Sequence, residues 1–159
     1  MSRNLRIALA LLLLLPAGLP AAPSLSDLDK VVDFSVTLKT LKAAADGEMA
    51  LPSRLCILDA TVSDINIIDK DKSTFKVRIE LLSGEWVGME DVKSYSCYVD
   101  FSGPEFFDAF PARAPRSPTS GVVLVNARVI VACRAIGFVS SPQGEKRVLL
   151  EGLHVRTIR

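Results

Sequence analysis

Histidine and cysteine are scarce in this sequence, which has one His and three Cys among 159 residues. The three cysteines, Cys56, Cys97 and Cys133, are far apart along the chain, whereas zinc sites use closely spaced Cys and His ligands. His154 stands between Leu153 and Val155 without a nearby candidate nucleophile, and no glycine-rich phosphate loop is present. We therefore predict that the protein is not an enzyme and has neither a metal site nor a cofactor.

An excess of charge of either sign is also missing. The formal net charge is +1, and the first 21 residues contribute Arg3 and Arg6 without an acid, so 17 basic and 18 acidic residues remain beyond them. Proteins that bind polyanions non-specifically usually carry a strong basic excess. The composition therefore argues against nucleic acid as a partner.

Long apolar runs are absent after the N-terminus, which has the three parts of a secretory signal peptide. Arg3 and Arg6 form a charged region, an apolar run covers residues 7–15, and Pro16, Gly18 and Pro20 precede small residues. We expect cleavage after Ala21, so that residues 1–21 are the signal and no transmembrane segment remains. The alternative is an uncleaved interfacial anchor. Either way, we expect a periplasmic or secreted protein.

Residues 22–53 are expected to form an N-terminal helix and a linker. Within residues 24–46, apolar side chains recur at spacings of three and four, which is typical of an amphipathic helix: Leu28, Val31, Phe34, Leu38 and Leu41. Ser26 and Asp29 resemble a capping box, and Asp46-Gly47 is a suitable end. The apolar stripe either packs on the main domain or docks a partner or a membrane surface.

Residues 54–159 contain alternating apolar and polar positions in several segments, as expected for half-buried strands. We predict strands from Arg54 to Asp69 (with a bulge where the apolar phase shifts near Ile65), from Phe75 to Leu81, from Tyr95 to Phe101, from Val123 to Phe138, and from Arg147 to Ile158 with a bend at Gly152. The segment GVVLVNARVIVACRAIGF is expected to hold the longest strand, around which the others are arranged. A loop carrying Trp86 is expected between Ser83 and Gly88.

Between the third and fourth strands, the segment SGPEFFDAF predicts a short helix. Ser102 is a candidate cap, Pro104 suits a first turn, and Phe106, Phe107 and Phe110 supply an apolar knob. Residues 111–121 are rich in proline and polar residues, which indicates an exposed loop.

Five strands with a short helix between the third and fourth resemble the OB-fold, and the chain is similar to exported bacterial OB-fold proteins of the tRNA-anticodon-binding-like group. The segments that match are RLCILDATVSDI, FKVRIELL, YSCYVDF, the aromatic short helix, GVVLVNARVIVACRAIGF and VLLEGLHVRTI. The resemblance implies a mainly β protein, an OB-fold-like five-stranded barrel preceded by the extra N-terminal helix. The alternative is that the fourth predicted strand is a long strand of a β-sandwich and not of a closed barrel.

The resemblance also implies a binding face on strands two and three with the adjoining loops. Carried onto this sequence, that face has Lys76, Arg78, Ser96 and Tyr98, flanked by Lys70, Lys72 and Lys146. Because the first and fourth strands of an OB-fold run antiparallel, Cys56 and Cys133 are expected to lie close together. Export would permit a disulfide between them, and buried free thiols are the alternative.

These expectations favour an exported, non-catalytic binding or adaptor module whose partner is an envelope protein or a small anionic or glycan ligand. The alternative is an envelope structural or assembly protein that docks through its N-terminal helix. A secreted hydrolase is the third hypothesis, for which no catalytic residues can be named.

Overall fold

A computed structural model describes residues 25–88, 91–113, 115 and 121–158. The elements in chain order are α1 (Leu25–Val31), β1 (Val32–Asp33), α2 (Leu38–Ala45), β2 (Leu55–Asp69), β3 (Lys76–Val87), β4 (Asp91–Ser102), a 3-10 turn (Pro104–Phe106), β5 (Arg128–Ser140) and β6 (Lys146–Thr157). The protein is thus mainly β. The predicted signal peptide over residues 1–21 lies outside the described residues.

The strands form a single six-stranded sheet in the order β1-β2-β3-β4-β6-β5, and an additional pairing joins β2 to β5. Hydrogen bonds therefore close β2 to β6 into a ring. Four of the five ring pairings are antiparallel, and β4 pairs with β6 in parallel. The mainly β class and the OB-fold-like order of the strands agree with the prediction, whereas the predicted count of five strands is corrected to six.

The longest strand is β2, with 15 residues, and not the segment after residue 121 as predicted. The first half of β2 pairs with β5 and the second half with β3, with register shifts near Ser63 and Ile68, so the predicted bulge is confirmed. β5 begins only at Arg128. Asn126 has a positive φ of 68°, and its amide donates to the carbonyl of Val62, so the backbone turns before the strand starts.

The predicted loop around Trp86 is wrong, because β3 and β4 continue as a hairpin as far as Val87 and Asp91. Cross-strand pairing persists through Gly84 and Trp86. The glycines at both ends of this stretch suggested a loop, but the pairing with β4 outweighs their weak strand preference.

The single N-terminal helix predicted over residues 24–46 is also wrong. The chain forms α1 and α2 with β1 between them, and Ser26 lies inside α1. Asp33 accepts hydrogen bonds from the amide (3.1 Å) and hydroxyl (2.6 Å) of Ser35, and it pairs with Arg54. Thr37 then starts α2 with a capping box to Thr40. These local bonds end one helix and begin the next.

The interior of the ring is closed by α2 on β4 and β6 and by the aromatic segment after β4. Phe106 and Phe110 pack on Phe101, with ring centroids 4.9 and 5.2 Å away. The predicted apolar knob is therefore confirmed. The predicted short helix is a single 3-10 turn. Its N-cap is Gly103, with a φ of 126°, and not the predicted Ser102, which is the last residue of β4.

Candidate ligand-binding groove

Two rows of polar side chains cross the outer face of β2, β3 and β4. The strand register places Arg78 opposite Asn66 on one side and Asp100 on the other, and it places Glu80 opposite Asp64 and Tyr98. The intervening residues of β3, Val77 and Ile79, are fully buried. The alternation of strand side chains therefore collects six polar groups on one surface.

The first row is neutralised by a bidentate ion pair. Nε and Nη2 of Arg78 donate to the two carboxylate oxygens of Asp100 at 2.6 and 2.9 Å, and the ammonium of Lys76 lies 3.8 Å from the same carboxylate. Asp100 is only 8% exposed. The hydrogen bonds to Asp100, more than its charge, raise the pKa of Arg78, so the guanidinium stays protonated.

The second row is completed from β6 by Arg147, whose side chain is 14% exposed. Its Nη1 donates to Glu80 and, at 3.2 Å, to the hydroxyl of Tyr98, and its Nη2 donates to Glu145 at 3.1 Å. Burial lowers the pKa of Arg147, but Glu145 and Glu80 outweigh it, and the net shift is upward. Its Nε is buried without a hydrogen-bond partner.

The ring of Tyr98 is held by these two arginines. The guanidinium carbons of Arg78 and Arg147 lie 5.8 and 5.3 Å from the ring centroid, within the range of cation–π contacts. Tyr98 is therefore a fixed part of the wall and not a free stacking platform.

A groove of about 340 Å³ lies between these rows and the turn from β5 to β6. Its lining includes Asp64, Asn66 and Ser140, which are exposed, and Tyr98. The arginine charges are already paired, so the groups left open are hydroxyl, amide and carboxylate groups. Such groups form hydrogen bonds with ligands that carry several hydroxyls or amides.

The structure brings together only part of the predicted face. Arg78 and Tyr98 line the groove, while Lys76 lies beside them on Asp100. Ser96, on β4 opposite Leu82, does not line the groove. The ammonium of Lys146 lies 3.9 Å from the centroid of the Phe138 ring.

Lys70 and Lys72 belong to a different part of the surface. Lys70 lines a separate cavity, and Lys72 lies 3.9 Å from the Asp108 carboxylate and over the Phe107 ring. Whether any residue of the predicted face binds a ligand stays a prediction.

Sequence reasoning missed most of the groove. Three missed groups line the groove, Asp64, Asn66 and Glu80, and two more bind its lining side chains from beside it, Asp100 and Arg147. The alternation itself signalled that the first four point outward. Their convergence depends on which strands pair, and only the fold shows that.

The described residues include no group of three His, Cys, Asp or Glu side chains placed to hold a metal ion. Across the same part of the chain, none of the helices has the length and apolar character needed to cross a membrane.

No protein-family model and no curated protein sequence matches the chain. Similar solved structures include a protein described as an aspartyl-tRNA synthetase from Leishmania major Friedlin, with a TM-score of 0.47, 11% identity, 83% of this chain covered and 24% of that one. A small single-stranded DNA-binding protein from Streptomyces coelicolor has a TM-score of 0.40 and 14% identity, with coverages of 69% and 94%. The Plasmodium falciparum SSB in complex with single-stranded DNA has a TM-score of 0.39 and 14% identity, and the match covers 70% of this chain and 100% of that one.

This chain thus spans about a quarter of the synthetase. At such identities and TM-scores, the likeness reaches the OB-fold at most and assigns no ligand to this chain.

One prediction is corrected here. The sequence argued against nucleic acid as a partner, but two of these similar structures are single-stranded DNA-binding proteins. The prediction rested on the net charge of the whole chain. A ligand meets one local surface, so a near-neutral total does not exclude a class of ligand.

Proposed function

We propose that this chain is an exported, non-catalytic binding module that holds a polyhydroxylated ligand, such as a short glycan, in the groove beside Tyr98. The supporting observation is the arrangement of open hydrogen-bonding groups, Asp64, Asn66 and Ser140, beside a wall fixed by two ion-paired arginines. Proteins of the OB-fold bind oligosaccharides as well as oligonucleotides.

The open groups of the groove suit a ligand that carries hydroxyl groups. Arg78 and Arg147, the two guanidiniums at the groove, are each bound to a carboxylate, so neither offers a free pair of donors to an anion. The exposed carboxylate of Asp64 would accept hydrogen bonds from sugar hydroxyls.

The proposal is tested with the double variant Asp64→Ala/Asn66→Ala. Both side chains are exposed, so the fold should survive. The purified protein is titrated by calorimetry with short neutral and uronate-containing oligosaccharides and with oligothymidylate. We expect saturable glycan binding that the double variant weakens roughly tenfold, since each net hydrogen bond contributes about 0.5–1.5 kcal/mol.

The matched control is Asp91→Ala/Ser94→Ala, which also removes two exposed polar side chains but at the far end of the β3–β4 hairpin. It should bind glycan as the wild type does. Equal glycan affinity in both double variants, or saturable binding of oligothymidylate alone, would contradict the proposal.

The second candidate function is docking in an envelope assembly. Of the apolar stripe expected in the N-terminal segment, Leu38 and Leu41 are buried, but Leu28, Val31 and Phe34 are 44%, 54% and 59% exposed. These three side chains would suit the apolar surface of a partner protein. The triple substitution to serine should abolish co-purification of that partner from envelope extracts and leave the urea midpoint nearly unchanged, whereas an unaltered partner set would exclude this surface.

A further inference from the structure

A second cavity lies outside the groove and is lined mainly by apolar residues, whereas the groove is mainly polar. It encloses about 290 Å³ at the end of β2, beneath the segment that follows the 3-10 turn, and none of its lining residues lines the groove. Its walls are mainly apolar and include Phe75, Phe107, Phe110, Ile67 and Pro111. This volume is at the lower end of the roughly 300–1,000 Å³ of small-molecule pockets.

The walls are fixed by the fold. Phe75 and Phe110 are almost fully buried, at 2% and 1% exposure. The amide of Gly103 donates to the carbonyl of Phe75, which ties the turn to the start of β3. Phe107 then meets Phe75 edge to face, with ring centroids 5.4 Å apart. The aromatic walls are therefore preformed.

The mouth of the cavity carries both signs of charge, because Lys70 and Asp108 both line it. Lys70 lines it and is exposed, and in the part of the chain that the structure describes it has no ion-pair partner. The ammonium of Lys72 lies 5.4 Å from the centroid of the Phe107 ring and 3.9 Å from the Asp108 carboxylate. Asp108 is thus paired with Lys72, and the ammonium of Lys70, which Asp69 and Asp71 flank in sequence, stays outside that ion pair.

We propose that this cavity binds a small amphiphile that has an aromatic or short aliphatic body and one carboxylate. The body lies among Phe75, Phe107 and Phe110, and the carboxylate lies at the mouth beside Lys70. Burial of the apolar body supplies most of the affinity. The single charge fixes its direction, because an ammonium outside any ion pair of the described residues attracts an anion at the open end.

The test is calorimetric titration of the purified protein with octanoate and with the uncharged octanol. We expect saturable binding of octanoate at one site. Lys70→Gln should weaken octanoate about fivefold, as expected for an exposed ion pair, and leave octanol unchanged. Lys93→Gln, which changes an exposed lysine outside the cavity, should alter neither ligand.

Phe107→Trp tests the site itself. Phe107 is half-buried, so a larger ring should occupy the cavity and abolish octanoate binding while the protein stays folded, as checked by its circular dichroism and urea midpoint. The proposal is overturned if octanoate binding does not saturate, if Phe107→Trp retains it, or if Lys70→Gln leaves it unchanged.

Discussion

The ring of Phe101 occupies the space in which a side chain at Gly152 would begin. A Cβ built at Gly152 would lie 2.2 Å from Cε1 of Phe101, far closer than van der Waals contact. Gly152 pairs with Cys133 where the register of β5 and β6 shifts, so the predicted bend is confirmed. The glycine permits β6 to cross directly over an aromatic side chain of β4.

Gly152→Ala is therefore expected to destabilise the protein. Phe101 is fully buried and cannot move without displacing Phe106 and Phe110, so overpacking should cost about 1–3 kcal/mol in the free energy of unfolding. Urea unfolding measures it. The control is Gly84→Ala, where the nearest atom to a new Cβ is Cγ1 of Val92 at 3.3 Å. Equal midpoints for the two variants would contradict this account.

The two halves of the N-terminal segment should respond differently to truncation of leucine. Leu41 in α2 is fully buried, and Leu41→Ala should lower the free energy of unfolding by about 2–5 kcal/mol, the usual cost of a core cavity. Leu28 in α1 is 44% exposed, and Leu28→Ala should cost less than about 1 kcal/mol. Urea unfolding of both variants measures these losses. A comparable loss of unfolding free energy at both positions would show that α1 and α2 do not differ in this way.

The alternating faces of the strands could be predicted from the sequence because strand alternation is a local property. Alternation within the predicted strands from Phe75 and from Tyr95 puts Val77, Ile79, Cys97 and Val99 on the apolar faces, and all four are fully buried. The break between α1 and α2 could not be predicted so readily, since Asp33 is held by Arg54, 21 residues further along the chain.

Prediction of the candidate site was limited in the same way, because its contacts join residues that are far apart in the sequence. The resemblance to the OB-fold implied a binding face with Lys76, Arg78, Ser96 and Tyr98, of which Arg78 and Tyr98 line the groove. The partner of that arginine, Asp100, comes from the neighbouring strand, and Arg147 reaches Glu80 from β6. Charge compensation depends on these pairings across the sheet, which the sequence of one strand does not contain.

Acid should weaken the bonds that separate α1 from α2. The hydroxyl and amide of Ser35, followed by the charge of Arg54, lower the pKa of Asp33 below its usual value near 4. A carboxyl whose folded pKa is depressed adds stability above its unfolded pKa, and this stability is lost as the pH falls through the folded pKa. Asp33→Asn should therefore be less stable than the wild type at pH 7 and nearly equal to it at about pH 2–3.

Urea midpoints of both proteins at these two pH values measure the effect. Asp91→Asn, at an exposed position on the β3–β4 hairpin, is the control and should match the wild type at pH 7. A difference between Asp33→Asn and the wild type that persists unchanged in acid would show that the charge of Asp33 is not its cause.

Cys56 and Cys133 are direct cross-strand partners on β2 and β5, and both side chains are fully buried. The predicted proximity of the two cysteines is confirmed. All three cysteines are free thiols here, and the disulfide stays a prediction. Burial raises the pKa of Cys133 to about 12, and burial also raises the pKa values of Cys56 and Cys97. Since the thiolate is the reactive form, the folded, reduced protein should oxidise very slowly near neutral pH.

A bond between these two cysteines would therefore have to form during folding. Refolding in a glutathione redox buffer should give a Cys56–Cys133 bond, detected by mass spectrometry of peptides, with Cys97 free. Closing a loop with a sequence separation of 77 should stabilise the protein by roughly 4–5 kcal/mol, and reductant should remove that gain. Cys97→Ala should form the bond equally well. If oxidative refolding leaves all three thiols free, or links Cys97 instead, the geometry of this strand pair does not admit the bond.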